Sequence, residues 1–66
     1  MKIILNNKVD DVEDNISIEQ LLITKKIKNL YIAVEKNKEI VPKSKYSKCN
    51  LSEGDRIEII TAIGGG

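Results

Sequence analysis

The sequence predicts an α+β fold, a mixed sheet carrying one covering helix, in a single domain spanning residues 1–66. Three observations predict it. Short apolar runs recur near both ends and in the middle of the chain, separated by turns rich in asparagine or glycine. One capping box, Ser17-Ile18-Glu19-Gln20, opens one helical stripe. A strand-like run over residues 56–63 leads without a spacer into Gly64-Gly65-Gly66.

Residues 1–6 alternate Met1, Ile3, Leu5 against Lys2, Ile4, Asn6, which predicts a strand with one apolar face. Asn6-Asn7-Lys8 predicts a tight hairpin turn, because asparagine tolerates positive φ. Residues 9–13 predict the returning strand, where Val9 and Val12 break strict alternation as a bulge or an edge position would. In the helix, Ile18, Leu21, Leu22 and the stem of Lys25 fall at i, i+3, i+4 and i+7, one stripe for one sheet face. Lys25, Lys26 and Lys28 suit its carboxyl end, and Asn29 is expected as the left-handed stop.

Leu30-Tyr31-Ile32-Ala33-Val34-Glu35 is apolar on both parities, the pattern of an inner strand. Asn37-Lys38 predicts a second turn and Glu39-Ile40-Val41 a short strand that Pro42 ends by removing a ladder donor. Residues 43–50 predict a loop or single helical turn pinned by Tyr46. Ser52-Glu53-Gly54-Asp55 predicts a turn with glycine where freedom is needed. The last strand places Ile57, Ile59 and Ile63 on one parity and Glu58, Ile60 and Ala62 on the other. The order β-β-α-β-β-β is that of a ubiquitin-like β-grasp, and its first and last strands are expected to lie side by side and parallel, joined through the helix-containing crossover.

Composition narrows the function. Eleven basic against ten acidic residues leave a net charge of +1, too little to drive phosphate-backbone binding, and two tyrosines offer no base-stacking platform, so nucleic acid is not an expected partner. No apolar stretch approaches the roughly 18 residues of a membrane span, and one cysteine forms no internal disulfide, so a cytoplasmic location is expected. With no histidine, a Ser-His-Asp constellation is impossible and no zinc spacing exists. No catalytic residue and no metal ligand is assigned: the chain is expected to be no enzyme and to bind no cofactor.

The glycines are the chemical candidate. Extended residues span about 3.3 to 3.6 Å each, so Gly64 to Gly66 reach roughly 10 Å, enough to thread a slot in a partner. Side chains there would block close backbone approach. The carboxylate of Gly66 is the expected working group, with Gly64 and Gly65 the threading strip. A carboxylate is a poor electrophile until joined to a leaving group such as an adenylate. The triplet is no phosphate loop, because no helix, lysine or serine follows it.

Several pieces together resemble the ThiS family, sulfur carriers of thiamine thiazole biosynthesis. They are the first strand ending in Asn6, the Ser17-to-Leu22 helix start with its Leu21-Leu22 pair, and Val34-Glu35-Lys36-Asn37-Lys38-Glu39-Ile40-Val41-Pro42 followed by Tyr46. Gly54-Asp55-Arg56-Ile57-Glu58-Ile59 and Ile63-Gly64-Gly65-Gly66 complete the set. The resemblance implies that a ThiF-type adenylating enzyme activates Gly66 with Mg-ATP. A sulfur donor, such as a cysteine desulfurase, then makes a thiocarboxylate that a ThiG-type thiazole synthase consumes. Gly65 and Gly66 carry over as the family's paired glycines, with Gly64 additional. The alternatives are a carrier like the small subunit of molybdopterin synthase, a ubiquitin-like protein modifier, or a plain β-grasp interaction module.

Docking needs a surface. With Ile57 and Ile59 facing the helix-covered core, Ile60 and Ala62 face the other way, and Ile4 is expected beside them as a partner-docking patch. Cys49, near Lys45 and Lys48, is read as a small packing residue in preference to a persulfide carrier. The lysines of residues 43–48 are read as a solvated loop.

Overall fold

The computed structural model describes residues 1–27 and 32–61. Five strands form one mixed sheet in the order β2-β1-β5-β3-β4. These are β1 (Lys2–Leu5), β2 (Lys8–Asp11), β3 (Ile32–Lys36), β4 (Glu39–Val41) and β5 (Arg56–Thr61), with helix α1 (Ile18–Thr24) between β2 and β3. β1 and β5 are parallel, in the register Ile4↔Arg56 and Leu5↔Ile57, and the other pairs are antiparallel. The order and the parallel central pair agree with the expectation from sequence.

Both hairpin loops have two residues. Asn6 and Asn7 have φ of 49° and 69°, and Asn37 and Lys38 have φ of 52° and 71°. Two successive left-handed residues match the twist of the flanking strands, which is why asparagine leads each loop. Lys8, expected within the turn, is already the first residue of β2. That strand is the sheet edge its imperfect alternation predicted. Gly54, φ 84°, makes the turn before β5.

α1 lies on one face, where Ile18, Leu21 and Leu22 pack with Ile3, Val34 and Ile57. Ile16, Tyr46 and Leu51 complete the buried cluster. The helix start is closed from two directions. Ser17 Oγ accepts from the Gln20 amide at 3.1 Å, and Gln20 Oε1 accepts from the Ser17 amide at 3.4 Å. The next two orphan amides, Ile18 and Glu19, donate to the carbonyls of Cys49 and Tyr46, each at 3.0 Å. The loop carrying Tyr46, which opens with a 3-10 turn over Lys43–Lys45, is therefore part of the helix cap. We expect Ser17→Ala to cost about 1 kcal/mol, read as a lower urea midpoint at unchanged slope.

The helix stop differs from expectation. α1 ends at Thr24, and Lys26, φ 59°, is the left-handed residue after it. Lys25 leaves the stripe at the helix cap, where its ammonium pairs with Asp10 of the edge strand. Lys28, Asn29, Leu30 and Tyr31 lie outside the described residues, so the expected stop at Asn29 and start of β3 at Leu30 do too.

Candidate functional site

The expected working residues Gly64, Gly65 and Gly66, with Ala62, lie outside the described residues. What the structure describes is the strand that leads to them. β5 is the central strand, held by β1 on one side and β3 on the other.

Two asparagine side chains complete those ladders. The Asn6 amide donates to the Ile57 carbonyl at 2.9 Å, as a residue of a parallel strand would. Its own carbonyl does not accept the return bond; Asn6 Oδ1 accepts it from the Ile59 amide at 2.8 Å. The side chain thus adds one rung beyond the end of β1 while the backbone turns away at positive φ. Asn37 does the same at the start of β5. Its amide donates to the Arg56 carbonyl at 2.7 Å, and its Oδ1 accepts from the Arg56 amide at 2.9 Å. Its Nδ2 donates to Asp55 Oδ1 at 3.1 Å, and Asp55 Oδ2 accepts from the Ser52 amide at 2.8 Å. Asparagine suits both tasks, since it tolerates left-handed φ and carries an amide oxygen three bonds from Cα. The sequence reading credited these residues with the turns alone.

The sheet face opposite α1 carries the candidate docking surface. Ile3, Val34 and Ile57 point to the helix, so Ile4, Val9, Ala33, Glu35, Ile40, Arg56, Glu58 and Ile60 share the other face. Ile4 is half-buried and Ile60 is 50% exposed. The two are not adjacent. The register sets Ile4 between Val9 and Arg56, and Ile60 opposite Ala33. Ile4 and Ile60 are four residues apart along β5, roughly 13 Å. The cause is the turn at Asn6, which ends β1 before it reaches Ile60. Ile4 and Ile60, expected in one patch, thus lie in two places on one face, with Arg56 and Glu58 between them along β5. Val9 and Ile40, exposed to 69% and 70%, extend the apolar surface toward the two sheet edges. The sequence reading passed over both because it traced only the β1–β5 seam.

Cys49 is a free, half-buried thiol packed against the core, which fits its reading as a packing residue. Its neighbourhood is a groove of about 380 Å³ lined by Lys36, Asn37, Pro42 and Lys45 among others. Among the described residues, no group of three or more histidine, cysteine, aspartate or glutamate side chains is placed to hold a metal ion. No helix among them is long and apolar enough to cross a membrane.

A fold of this kind, feeding its central strand toward a glycine strip, narrows the comparison with known proteins. The ThiS family model matches residues 3–66, through the last glycine. The chain belongs to the ThiS family. Its ThiS relative from Bacillus subtilis, a sulfur carrier protein, is 39% identical over 54 residues, covering 82% of each chain. A thiazole synthase from Paramagnetospirillum magneticum is 38% identical over all 66 residues, which span only 20% of that protein. The crystal structure of the thiamine biosynthesis protein ThiS from Geobacter metallireducens superposes with a TM-score of 0.87 at 26% identity, over 100% of both chains. The sheet, the helix and their order are the ubiquitin-like β-grasp of that ThiS structure.

Proposed function

We propose that this chain is a sulfur carrier of thiamine biosynthesis, a protein cosubstrate whose own residues perform no catalysis. The observation that carries this reading is the family match extending through Gly66. In the proposed cycle a Gly66 carboxylate oxygen attacks the α-phosphorus of Mg-ATP on a ThiF-type enzyme, and pyrophosphate leaves. The acyl-adenylate is then attacked by a persulfide sulfur from a donor such as a cysteine desulfurase, and AMP leaves. A thiol reduces the resulting acyl disulfide to the thiocarboxylate, which delivers sulfur to a ThiG-type thiazole synthase. The likeness to thiazole synthases supports that last partner. ATP and Mg belong to the activating enzyme. Gly64 and Gly65 thread its pocket, where the absence of Cβ atoms permits close backbone approach.

Incubation with Mg-ATP, a ThiF-type enzyme, a persulfide donor and a thiol tests this by intact mass. One oxygen replaced by sulfur at Gly66 is the expected product, and an unchanged chain would remove the reading. A ubiquitin-like modifier would instead form covalent adducts with lysines of other proteins.

Docking is assigned to the open sheet face that carries Ile4 and Ile60, and Ala62 is proposed to contribute to it. Ile60→Asp places a charge on an exposed position, so folding stability is expected to stay within about 0.5 kcal/mol. The KM of the activating enzyme for the carrier is expected to rise about tenfold, as for a truncated interface anchor. An unchanged KM would move the docking surface elsewhere.

A further inference from the structure

We propose that Asn6 is a positioning residue for the glycine tail, acting through the Ile59 amide. This rests on the sulfur-carrier reading and concerns how the tail is presented. The parallel seam between β1 and β5 would end at Leu5↔Ile57 if backbone pairing alone held it. The bond from the Ile59 amide to Asn6 Oδ1 carries the seam two residues further, toward Thr61. On its other flank β5 stays paired with β3 as far as Ile32↔Thr61. Among the described residues, Asn6 therefore makes the last hold on β5 from the β1 side.

The direction in which a strand leaves a sheet depends on whether one or both of its flanks are held. A strand gripped on both sides follows the twist of its neighbours; one gripped on a single side bends about that ladder. Residues 62–66 span at most about 18 Å, so a small change of direction at Ile59 moves Gly66 by several ångströms. Attack on phosphorus needs reacting atoms about 3 to 3.5 Å apart, and a misplacement of 1 Å costs up to about a hundredfold in rate. Asn6 spends its side chain on this rung even though its backbone is in the turn, and glycine would satisfy φ 49° equally well. Asparagine meets the turn's φ as glycine would and adds the carboxamide oxygen that glycine lacks.

Three variants separate the oxygen from the turn. Asn6→Gly keeps the left-handed backbone and removes the acceptor. Asn6→Asp keeps both the backbone preference and an acceptor oxygen. Asn7→Gly alters the next turn residue, φ 69°, and leaves the Asn6 oxygen in place. Amide exchange at Ile59 and steady-state adenylation by a ThiF-type enzyme are measured on each. Asn6→Gly is expected to lose Ile59 protection and about tenfold in kcat, with KM within twofold because the docking face is untouched. Asn6→Asp and Asn7→Gly are expected to retain both. An Asn6→Gly chain with exposed Ile59 and wild-type kcat overturns the positioning role. So does a loss confined to KM, and so does an equal kcat loss in Asn7→Gly, which would assign the effect to the turn. Failure of the parent chain itself to be adenylated would overturn the carrier reading and, with it, this role.

Discussion

Deleting Gly65 and Gly66 is expected to abolish adenylation, lowering turnover by more than about a thousandfold, while leaving thermal stability unchanged. The two halves of that expectation have different origins. Turnover fails because the electrophile must form at the α-phosphate inside the partner's pocket, and a carboxylate two residues short does not reach it. Each missing residue withdraws the reacting group by about 3.3 to 3.6 Å. Stability persists because every buried core residue among the described residues lies between Ile3 and Ile57. The measurement is pyrophosphate release with the truncated chain, beside its thermal melt. Full pyrophosphate release from the shortened protein would mean that the reacting carboxylate need not be that of Gly66.

Leu21→Ala is expected to leave the protein largely unfolded at physiological temperature. Leu21 is fully buried in the core cluster that holds both sheet residues and Tyr46 and Leu51 of the loop. Truncating its isobutyl side chain to a methyl costs about 2–5 kcal/mol, from lost transfer energy and the cavity left behind. A chain of 66 residues has roughly 3–10 kcal/mol in total. The same arithmetic applies to Ile57, fully buried near the start of β5, whose truncation would loosen that strand. Urea unfolding followed by circular dichroism checks this. A drop in midpoint equivalent to less than about 1 kcal/mol would mean that the core repacks around the gap.

Much of this architecture was legible in the residues. The capping box at Ser17 and Gln20, the asparagine turns, the stop at Pro42 and the glycine at position 54 are local devices, and each stands where its chemistry predicts. The helix end was not legible. Three lysines and Asn29 suggested a longer helix, but Ile27 turns back into the core and its amide bonds to the Leu22 carbonyl, so the left-handed residue falls at Lys26. Ile16 and Leu51 escaped notice as core residues because each is a lone aliphatic in a polar stretch. They meet only in three dimensions, where the Leu51 amide bonds the Ile16 carbonyl at 2.8 Å. The docking face was half legible. Parity placed Ile4 and Ile60 on the same side, but their separation depends on the register between strands far apart in sequence, which periodicity does not encode.

The placement of β5 has a consequence for how the protein is made. The β1–β2 and β3–β4 hairpins share no ladder; each is joined to the other only through the strand between them. A ribosome delivers that strand last of the five. Until it emerges, the nascent polypeptide is two separate ribbons with exposed aliphatic sides, and a hairpin alone is marginal in water. Folding of the sheet is thus coupled to the emergence of β5. A chain cut before Arg56 lacks the strand that joins the two hairpins and is expected to remain unfolded.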